Sequence, residues 1–539
     1  MQNLKSGSQS LQKTALKALA RRILKIASES MYNSEDIEKL KLQFASKYKC
    51  KIPLNSELLN SLDSEERARL RTILKTKPTR SLSGIVTIAL MTAPMPCPGK
   101  CIYCPSFPNV PKSYTGAEPS TMRAALCDWD PSKIIKARLK QLQAIGHSTE
   151  KCEVIIQGGT WGALPKEYKQ NYIKKMFDAF NGFESNSLEE AQSANETAMN
   201  KVVGLTFETR PDFCSEEEIK EMLNFGATRV ELGLQSVYDD VLEFVKRGHD
   251  VKTVKEAIKR LKNFGLKVDL HVMLGLPKSS KERDVEMFRI LFEDSDLRPD
   301  GLKIYPTAVI ENTELYELWK TKKYKEIDDS YIIDVLTEAK SKYIPIYCRI
   351  KRIMRDIPTT KILAGYKFTN LRDIIRERLK KEGKKCRCIR CREIGQRFKF
   401  EGKLPQKPEL KVFEYVASGG KEYFISFEDA EQDILLGFLR LRLCDKAFVR
   451  ELHVYGEAVP INQEQINREQ IAANKSNLTK VAIQHKGLGK KLLQTAEELA
   501  KRKGYNKLYV ISGVGVRQYY AKQGYKFEKP YMVKDLKEK

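Results

Sequence analysis

Between residues 84 and 306, short apolar runs alternate with longer segments whose apolar positions recur every three or four residues. The runs are GIVTIALM (84–91), EVIIQ from Glu153, VVGLTFE from Val202, RVELG from Arg229, KVDLHVM from Lys267 and LKIY from Leu302. Between them lie helical patterns such as DPSKIIKARLKQLQAIG and VKTVKEAIKRLKNFG. This alternation predicts an α/β fold. Parallel strands joined by right-handed crossovers close, or nearly close, into a barrel, with functional side chains at the C-terminal strand ends. The polar stretch 182–200 predicts a surface helix with loops. Upstream, Leu16, Leu19, Ile23 and Ile26 fall at helical spacing with Lys17, Arg21, Arg22 and Lys25 between them, and the segment ends in the basic run KTKPTR. Downstream, a second α/β unit is expected, with strands near Lys411, Ile434, Val449 and Lys507 and a helix over about 488–503. The expected division is a basic helical segment 1–80, a barrel domain 81–365, a cysteine-bearing linker 366–407 and a C-terminal domain 408–539. No repeat at solenoid spacing is present.

At 539 residues the chain is too long for one core. No apolar run approaches the ~20 residues of a membrane helix, and the N-terminus lacks the apolar core of a signal peptide, so an intracellular, cytoplasmic chain is expected. Lys plus Arg number 96 against 70 acidic residues, a net charge of +26. Such a field favours a polyanionic partner, nucleic acid ahead of the others. Six of the 12 cysteines stand in two tight clusters. In a cytosolic chain these read as metal ligands rather than disulfides.

The first cluster, CPGKCIYC, places Cys97, Cys101 and Cys104 directly after the first barrel strand. Three thiolates hold three irons of a [4Fe–4S] cluster and leave the fourth iron open to chelate an amino-carboxylate such as that of S-adenosylmethionine. A zinc knuckle lacking its fourth ligand is the bland alternative. QGGTW follows the second strand, where the bare backbone of Gly158 and Gly159 would let the methionyl amino group approach. ETRPD ends the third strand and sets Glu208 and Arg210 at the rim. Together these strings resemble the radical S-adenosylmethionine superfamily.

In QHKGLGKKLL, from Gln484 to Leu493, Gly487 and Gly489 allow a tight turn whose N–H groups face a pyrophosphate at a helix N-terminus, with Lys486, Lys490 and Lys491 adding charge. A preceding strand (VRELHVYG) and the closing segment VISGVGVRQYYAKQGYKF complete an order that resembles GNAT acetyltransferases. Tyr519 and Tyr520 fall near the expected acyl end. One could donate to a thioester, with core packing the ordinary role of the other. The second cysteine cluster, CRCIRC, puts Cys386, Cys388 and Cys391 in the basic linker. It predicts a tetrahedral zinc site bracing the two domains, with Cys348 a candidate fourth ligand.

The strings KPTRSLSGIVTIALM, SYTGAEPSTMRA, QGGTW, GLTFETRPDFC, VELGLQSVYDDVL, RPDGLKIYPT, RDIP, VRELHVYG and SGVGVRQYYAKQGY resemble the elongator complex protein 3 family from about Lys75 onward. The resemblance implies a tRNA-modifying enzyme that forms 5-carboxymethyluridine at the wobble position from acetyl-CoA and S-adenosylmethionine. It implies Cys97, Cys101 and Cys104 as cluster ligands. It also implies acetyl-CoA contacts at Lys151, Glu451, Leu452, His453, Val454, Leu488, Gly489, Lys490 and Tyr520, with Gln484 and Gly487 in the same loop. Lys303 and Tyr305, in LKIYP, stand where a catalytic residue belongs on the rim, and Lys77 and Arg80 are expected to contact tRNA phosphate. The implied partners are the tRNA anticodon stem-loop and Elongator-type subunits or self-association, with no membrane. One departure is visible: Pro-Gly-Gly-Pro usually follows the third cysteine of the family, and here Cys104 is followed by PSFP. A lysine acetyltransferase with a purely structural cluster, or a tRNA-binding scaffold, are the competing readings.

Overall fold

The computed structural model describes residues 2–29, 34–74, 80–456 and 487–537. Lys77 and Gln484 therefore lie outside the described residues. Four helices, Gln2–Glu29, Ser34–Tyr48, Asn55–Asn60 and Ser64–Ile73, form the N-terminal unit. Their apolar stripes meet in a separate small core that includes Leu19, Ile23, Ile37, Phe44, Leu58, Leu59 and Leu70.

Seven strands follow: β1 (Val86–Met91), β2 (Lys151–Gln157), β3 (Lys201–Thr209), β4 (Arg229–Gln235), β5 (Lys267–Leu274), β6 (Gly301–Pro306) and β7 (Arg349–Arg352). They pair in sequence order, every pair parallel. Among the described residues β1 and β7 are the two ends of the sheet, so the expected barrel is a partial one. Apolar side chains of the strands pack outward against the crossover helices. The inward positions are different in kind: Glu153, Arg229, Glu231, Asp269, Lys303 and Lys351 share the lumen. The polar stretch 182–200 does form a helix, Leu188–Asn195, but Asn195 is fully buried. Its amide donates to Asn181 Oδ1 and to the Asn200 carbonyl, and its Oδ1 accepts from Val202 N, which pins the start of β3.

The linker carries the helices Leu371–Lys381, Ile389–Arg392 and Ile394–Glu401. The C-terminal sheet runs β8 (Glu409–Ala417), β9 (Gly420–Asp429), β10 (Ile434–Leu443), β11 (Ala447–Val454), β12 (Lys507–Val510), β13 (Lys526–Glu528) and β14 (Tyr531–Asp535), with β14 between β12 and β13. All its pairs are antiparallel except β11–β12, which is parallel and ends at Val449↔Val510. Beyond Val449, β11 leaves β12, and the register against β10 slips between Arg440 and Leu441. A splay and a bulge thus coincide at Arg450.

This splayed stretch meets the N-terminal end of the barrel. Arg450, fully buried, bonds Asp300 of the barrel at 2.7 Å and Glu422 of β9 at 2.8 Å. Arg440 pairs with Glu451 at 2.8 Å, and Arg229 reaches Glu451 at 3.5 Å. His453 Nε2 stands 2.9 Å from the Ser83 carbonyl. Removing one partner of a buried pair costs about 3–5 kcal/mol, because the other charge is left stranded. The two domains are therefore locked together by charge as well as by packing.

Candidate active sites at the two ends of the barrel

At the C-terminal end of the strands lies a cavity lined in part by Cys97, Cys101, Cys104, Gly159, Glu208, Arg210, Glu231, His271 and Tyr305. The cysteine loop follows β1. It is tied to the barrel by Ile102 N donating to the Val245 carbonyl (3.2 Å) and by Leu315 N donating to the Ile102 carbonyl (2.9 Å). Cys97 Sγ lies 3.4 Å from Thr160 Oγ1 and accepts from Gly99 N at 3.4 Å. Arg247 Nη1 donates to Cys101 Sγ at 3.3 Å. The hydrogen bond from Cys104, with the Arg247 guanidinium behind it, draws Cys101 down to about 5. The thiolate that iron requires is thus favoured at Cys101, while Cys104, the donor of that hydrogen bond and buried, is pushed up. In the PSFP segment, Phe107 is half-buried against the main core.

Gly158 (φ +124°) and Gly159 (φ +92°) turn the chain at the end of β2. A Cβ on Gly158 would stand 2.1 Å from Thr92 Oγ1, so only glycine fits. Arg210 is held by Asp212 through Nε and Nη2 at 2.9 and 2.8 Å. Its Nη1 is buried with no hydrogen-bond partner among the described residues, as are Tyr103 Oη, Thr209 Oγ1 and Gln235 Oε1. Four orphaned polar atoms around one cavity beside three thiols fit a polar amino-carboxylate ligand bound next to an iron–sulfur cluster.

Glu208 accepts from Lys303 Nζ at 2.6 Å and from Gln157 Nε2 at 3.1 Å. Lys303 also pairs closely with Glu231, which His271 Nε2 contacts at 2.9 Å. Burial opposes the charge on Lys303, but the two carboxylates outweigh it and its pKa is raised. Lys303 is therefore a fixed ammonium beneath the cavity, 2% exposed and held between Glu208 and Glu231. Tyr305 does face the cavity, with its ring 5.5 Å from that of His271. Sequence reasoning passed over Glu231, His271 and Arg247. The signal for His271 was the two-residue alternation that puts Asp269, His271 and Met273 on one face of β5.

At the opposite end, β11 presents Glu451, Leu452, His453 and Val454 along its unpaired edge, all half-buried. Gly487 (φ +77°) caps the helix Leu488–Arg502, which begins with Leu488, Gly489 and Lys490. A Cβ on Gly489 would stand 2.9 Å from Tyr519 Oη, so Tyr519 reaches the glycine loop. Tyr520 is the packed member of the pair, 5% exposed, and its ring contacts Tyr525. Burial and then the neighbouring Tyr519 and Glu451 push the Tyr520 phenol up, so it is a proton donor throughout the working range. Lys151 opens β2 and is half-buried; burial lowers its pKa.

The second cysteine cluster closes. The Sγ atoms of Cys386, Cys388 and Cys391 lie within 4.8 Å of one another, a spacing that suits one metal ion. Cys348 is buried but is not a member of that set. The group that approaches instead is the buried Lys340 ammonium, 3.3 Å from Cys386 Sγ and 3.8 Å from Cys391 Sγ. Near the N-terminal unit, exposed Arg80 lies close enough to Arg123 and Arg138 for their charges to interact. Burial and these like charges lower the pKa of both, that of Arg138 to about 10.

Four family models match in order along the chain: the ELP3 N-terminal domain (12–82), the Radical SAM superfamily (96–291), the Radical_SAM C-terminal domain (299–381) and the Acetyltransferase (GNAT) family (390–525). The tRNA uridine(34) acetyltransferase of Methanocaldococcus jannaschii is 46% identical over 503 residues, covering 90% of each chain. Elongator complex protein 3 of Homo sapiens is 40% identical over 526 residues, covering 93% of each. Among solved structures, the Methanocaldococcus infernus Elp3 with its first 46 residues deleted superposes with a TM-score of 0.74 at 42% identity. That match covers 84% of this chain and all of the other. With a partial parallel barrel carrying the cysteine loop at one end and a splayed acetyltransferase strand keyed into the other, the chain belongs to the Elongator complex protein 3/tRNA uridine(34) acetyltransferase family.

Proposed function

We propose that the protein modifies the wobble uridine of tRNA, joining the two-carbon unit of acetyl-CoA to C5 to form 5-carboxymethyluridine. The observation that carries this reading is the presence of both sites in one locked body, one at each end of the same barrel. Ordinary acetyl transfer attacks the carbonyl carbon, and it cannot make a bond from the methyl carbon to a pyrimidine. The methyl C–H is too weakly acidic for an ordinary side-chain base to make a freely available carbanion, and C5 of uracil is electron-rich and would not accept one. A [4Fe–4S] cluster reduced by an external one-electron donor would, with S-adenosylmethionine, supply a 5′-deoxyadenosyl radical strong enough to take the methyl hydrogen; once the acetyl carbon has added to C5=C6, loss of an electron and a proton restores the base and hydrolysis of the thioester frees CoA.

Cys97, Cys101 and Cys104 would hold the cluster, and Gly158, Gly159, Glu208 and Arg210 the S-adenosylmethionine, Arg210 through its free Nη1. Tyr305 and His271 face the reacting space, and Lys303 positions the carboxylates. Lys151, Glu451 to Val454, Gln484, the turn Gly487–Lys490 and Tyr520 would hold acetyl-CoA, with Tyr519 at the turn. Zinc is assigned to Cys386, Cys388 and Cys391. In this reading residues 1–80, with Lys77 and Arg80, and the neighbouring Arg123 and Arg138 bind the anticodon stem-loop. Residues 81–365, 366–407 and 408–539 are the radical domain, linker and acyl domain of a cytoplasmic enzyme that works alone or with Elongator-type subunits. No helix among the described residues is long and apolar enough to cross a membrane. Anaerobic incubation of the iron-reconstituted protein with tRNA, acetyl-CoA, S-adenosylmethionine and dithionite as one-electron reductant, followed by nucleoside mass spectrometry, tests the reading. 5-Carboxymethyluridine is expected, and unmodified uridine with both cofactors bound would overturn it.

A further inference from the structure

Where the splayed strand meets the barrel, one charge has no partner. Lys267 begins β5 on the same inward face as Asp269, His271 and Met273, at the end of the lumen that the acyl domain covers. It is 8% exposed, yet its ammonium makes no hydrogen bond and no ion pair within 4 Å among the described residues. Every other lumen cation is paired: Arg229 with Glu153 and Glu451, Lys303 with Glu208 and Glu231, and Lys351 with Asp269. The ammonium is not sealed from solvent, so it stands as a free donor at the junction of the two domains.

Its position says which acceptor. Glu451 is paired with Arg440 at 2.8 Å and with Arg229 at 3.5 Å, and the Lys267 charge also acts on it from beyond ion-pair distance. Glu451 in turn acts on Tyr520. It lies just past Val449, where β11 separates from β12 and the gap between the strands would admit an acyl thioester. We propose that Lys267, a residue of the barrel, is a binding residue of the acyl site, donating a hydrogen bond to the thioester carbonyl oxygen of acetyl-CoA. This rests on the C-terminal half being an acetyl-CoA domain. The carbonyl oxygen is the part of the acetyl group that differs from a plain alkyl chain, and a charged donor on it fixes the direction in which the methyl points. The charged groups around Lys267 are Glu451 from the acyl domain and Arg229, Glu153 and Lys351 from the barrel. Burial, opposed by Glu451 and Glu153, pushes its pKa down to about 8. The donor is therefore charged at neutral pH, and its charge is lost as pH rises through that value.

The test is calorimetric binding to the full-length protein of acetyl-CoA, of CoA, and of S-ethyl-CoA, a thioether of nearly the same shape that lacks the carbonyl. The native protein should prefer acetyl-CoA to S-ethyl-CoA by about ten-fold, as a charge-assisted hydrogen bond implies. Lys267→Met should abolish that preference while binding S-ethyl-CoA and CoA unchanged, and this also shows that the site is folded. Lys267→Arg should restore part of it. In the native protein the preference should fall above pH 8. A preference that survives in Lys267→Met, or that is absent from the native protein, overturns the proposal. Failure of the native protein to bind any of the three would overturn the acetyl-CoA reading itself, and Lys267 with it.

Discussion

The two cysteine triads use one side chain to opposite purposes. In Cys386, Cys388 and Cys391 the sulfurs converge within 4.8 Å, two of the residues are buried, and a buried lysine stands against them. Burial opposes the charge on Lys340, but the thiols of Cys386, Cys391 and Cys388 outweigh it and raise its pKa. Cys97, Cys101 and Cys104 are strung along an irregular loop, contacted by Thr160, Gly99 N and Arg247, with one side open to the cavity. The Cys386 triad converges on the space of a single ion. The Cys97 triad lines a cavity with room for a reactant. Spacing alone, one and two intervening residues against three and two, hints at this difference. What faces the sulfurs decides it.

The comparison breaks most sharply if the open triad is dispensable. Replacing Cys97, Cys101 and Cys104 by Ala should remove about four bound irons and abolish modified uridine, with acetyl-CoA binding unchanged by calorimetry. Persistent modification would mean that the loop is structural. The closed triad should fail differently. Cys386, Cys388 and Cys391 all changed to Ser should lose one equivalent of zinc by elemental analysis. They should also lower stability by about 3–5 kcal/mol, because Lys340 is left without its thiolates. Adding Lys340→Met should recover part of that loss in a double-mutant cycle; strict additivity would show that the lysine and the triad are independent. Smaller still, Arg247→Met should weaken iron retention under a chelator by about ten-fold, the scale of one charge-assisted bond, with no change in zinc. Equal loss of both metals would erase the distinction between the sites.

Much of this was legible from alternation and spacing. Six of the seven barrel strands announced themselves by an apolar run and each glycine pair by the turn it permits; the seventh, Arg349–Arg352 (RIKR), has one buried apolar residue among basic ones and gave no such run. What escaped was charge inside the protein. Glu231, His271 and Lys267 look like polar interruptions of apolar strands, and only the two-residue period places them together on the lumen face. The strand Gly420–Asp429 left no clean alternation because it is buried along nearly its whole length. Its neighbour Ile434–Leu443 buries Arg440 and Arg442, whose partners Glu451, Glu422 and Asn263 lie far away in sequence. Which of Tyr519 and Tyr520 packs, and that Lys340 stands against the sulfurs of Cys386 and Cys391, depended on tertiary contacts that no local pattern encodes.

The central claim is that the acetyl methyl carbon, prepared at one end of the barrel, becomes the carbon joined to uridine by chemistry at the other. Acetyl-CoA fully deuterated on its methyl group, supplied anaerobically with tRNA, S-adenosylmethionine and a one-electron reductant such as dithionite, tests it directly by mass spectrometry of both products. The account predicts deuterium in 5′-deoxyadenosine and a carboxymethyl group that retains two of its three deuterons. Deuterium-free 5′-deoxyadenosine formed alongside labelled carboxymethyluridine would contradict it.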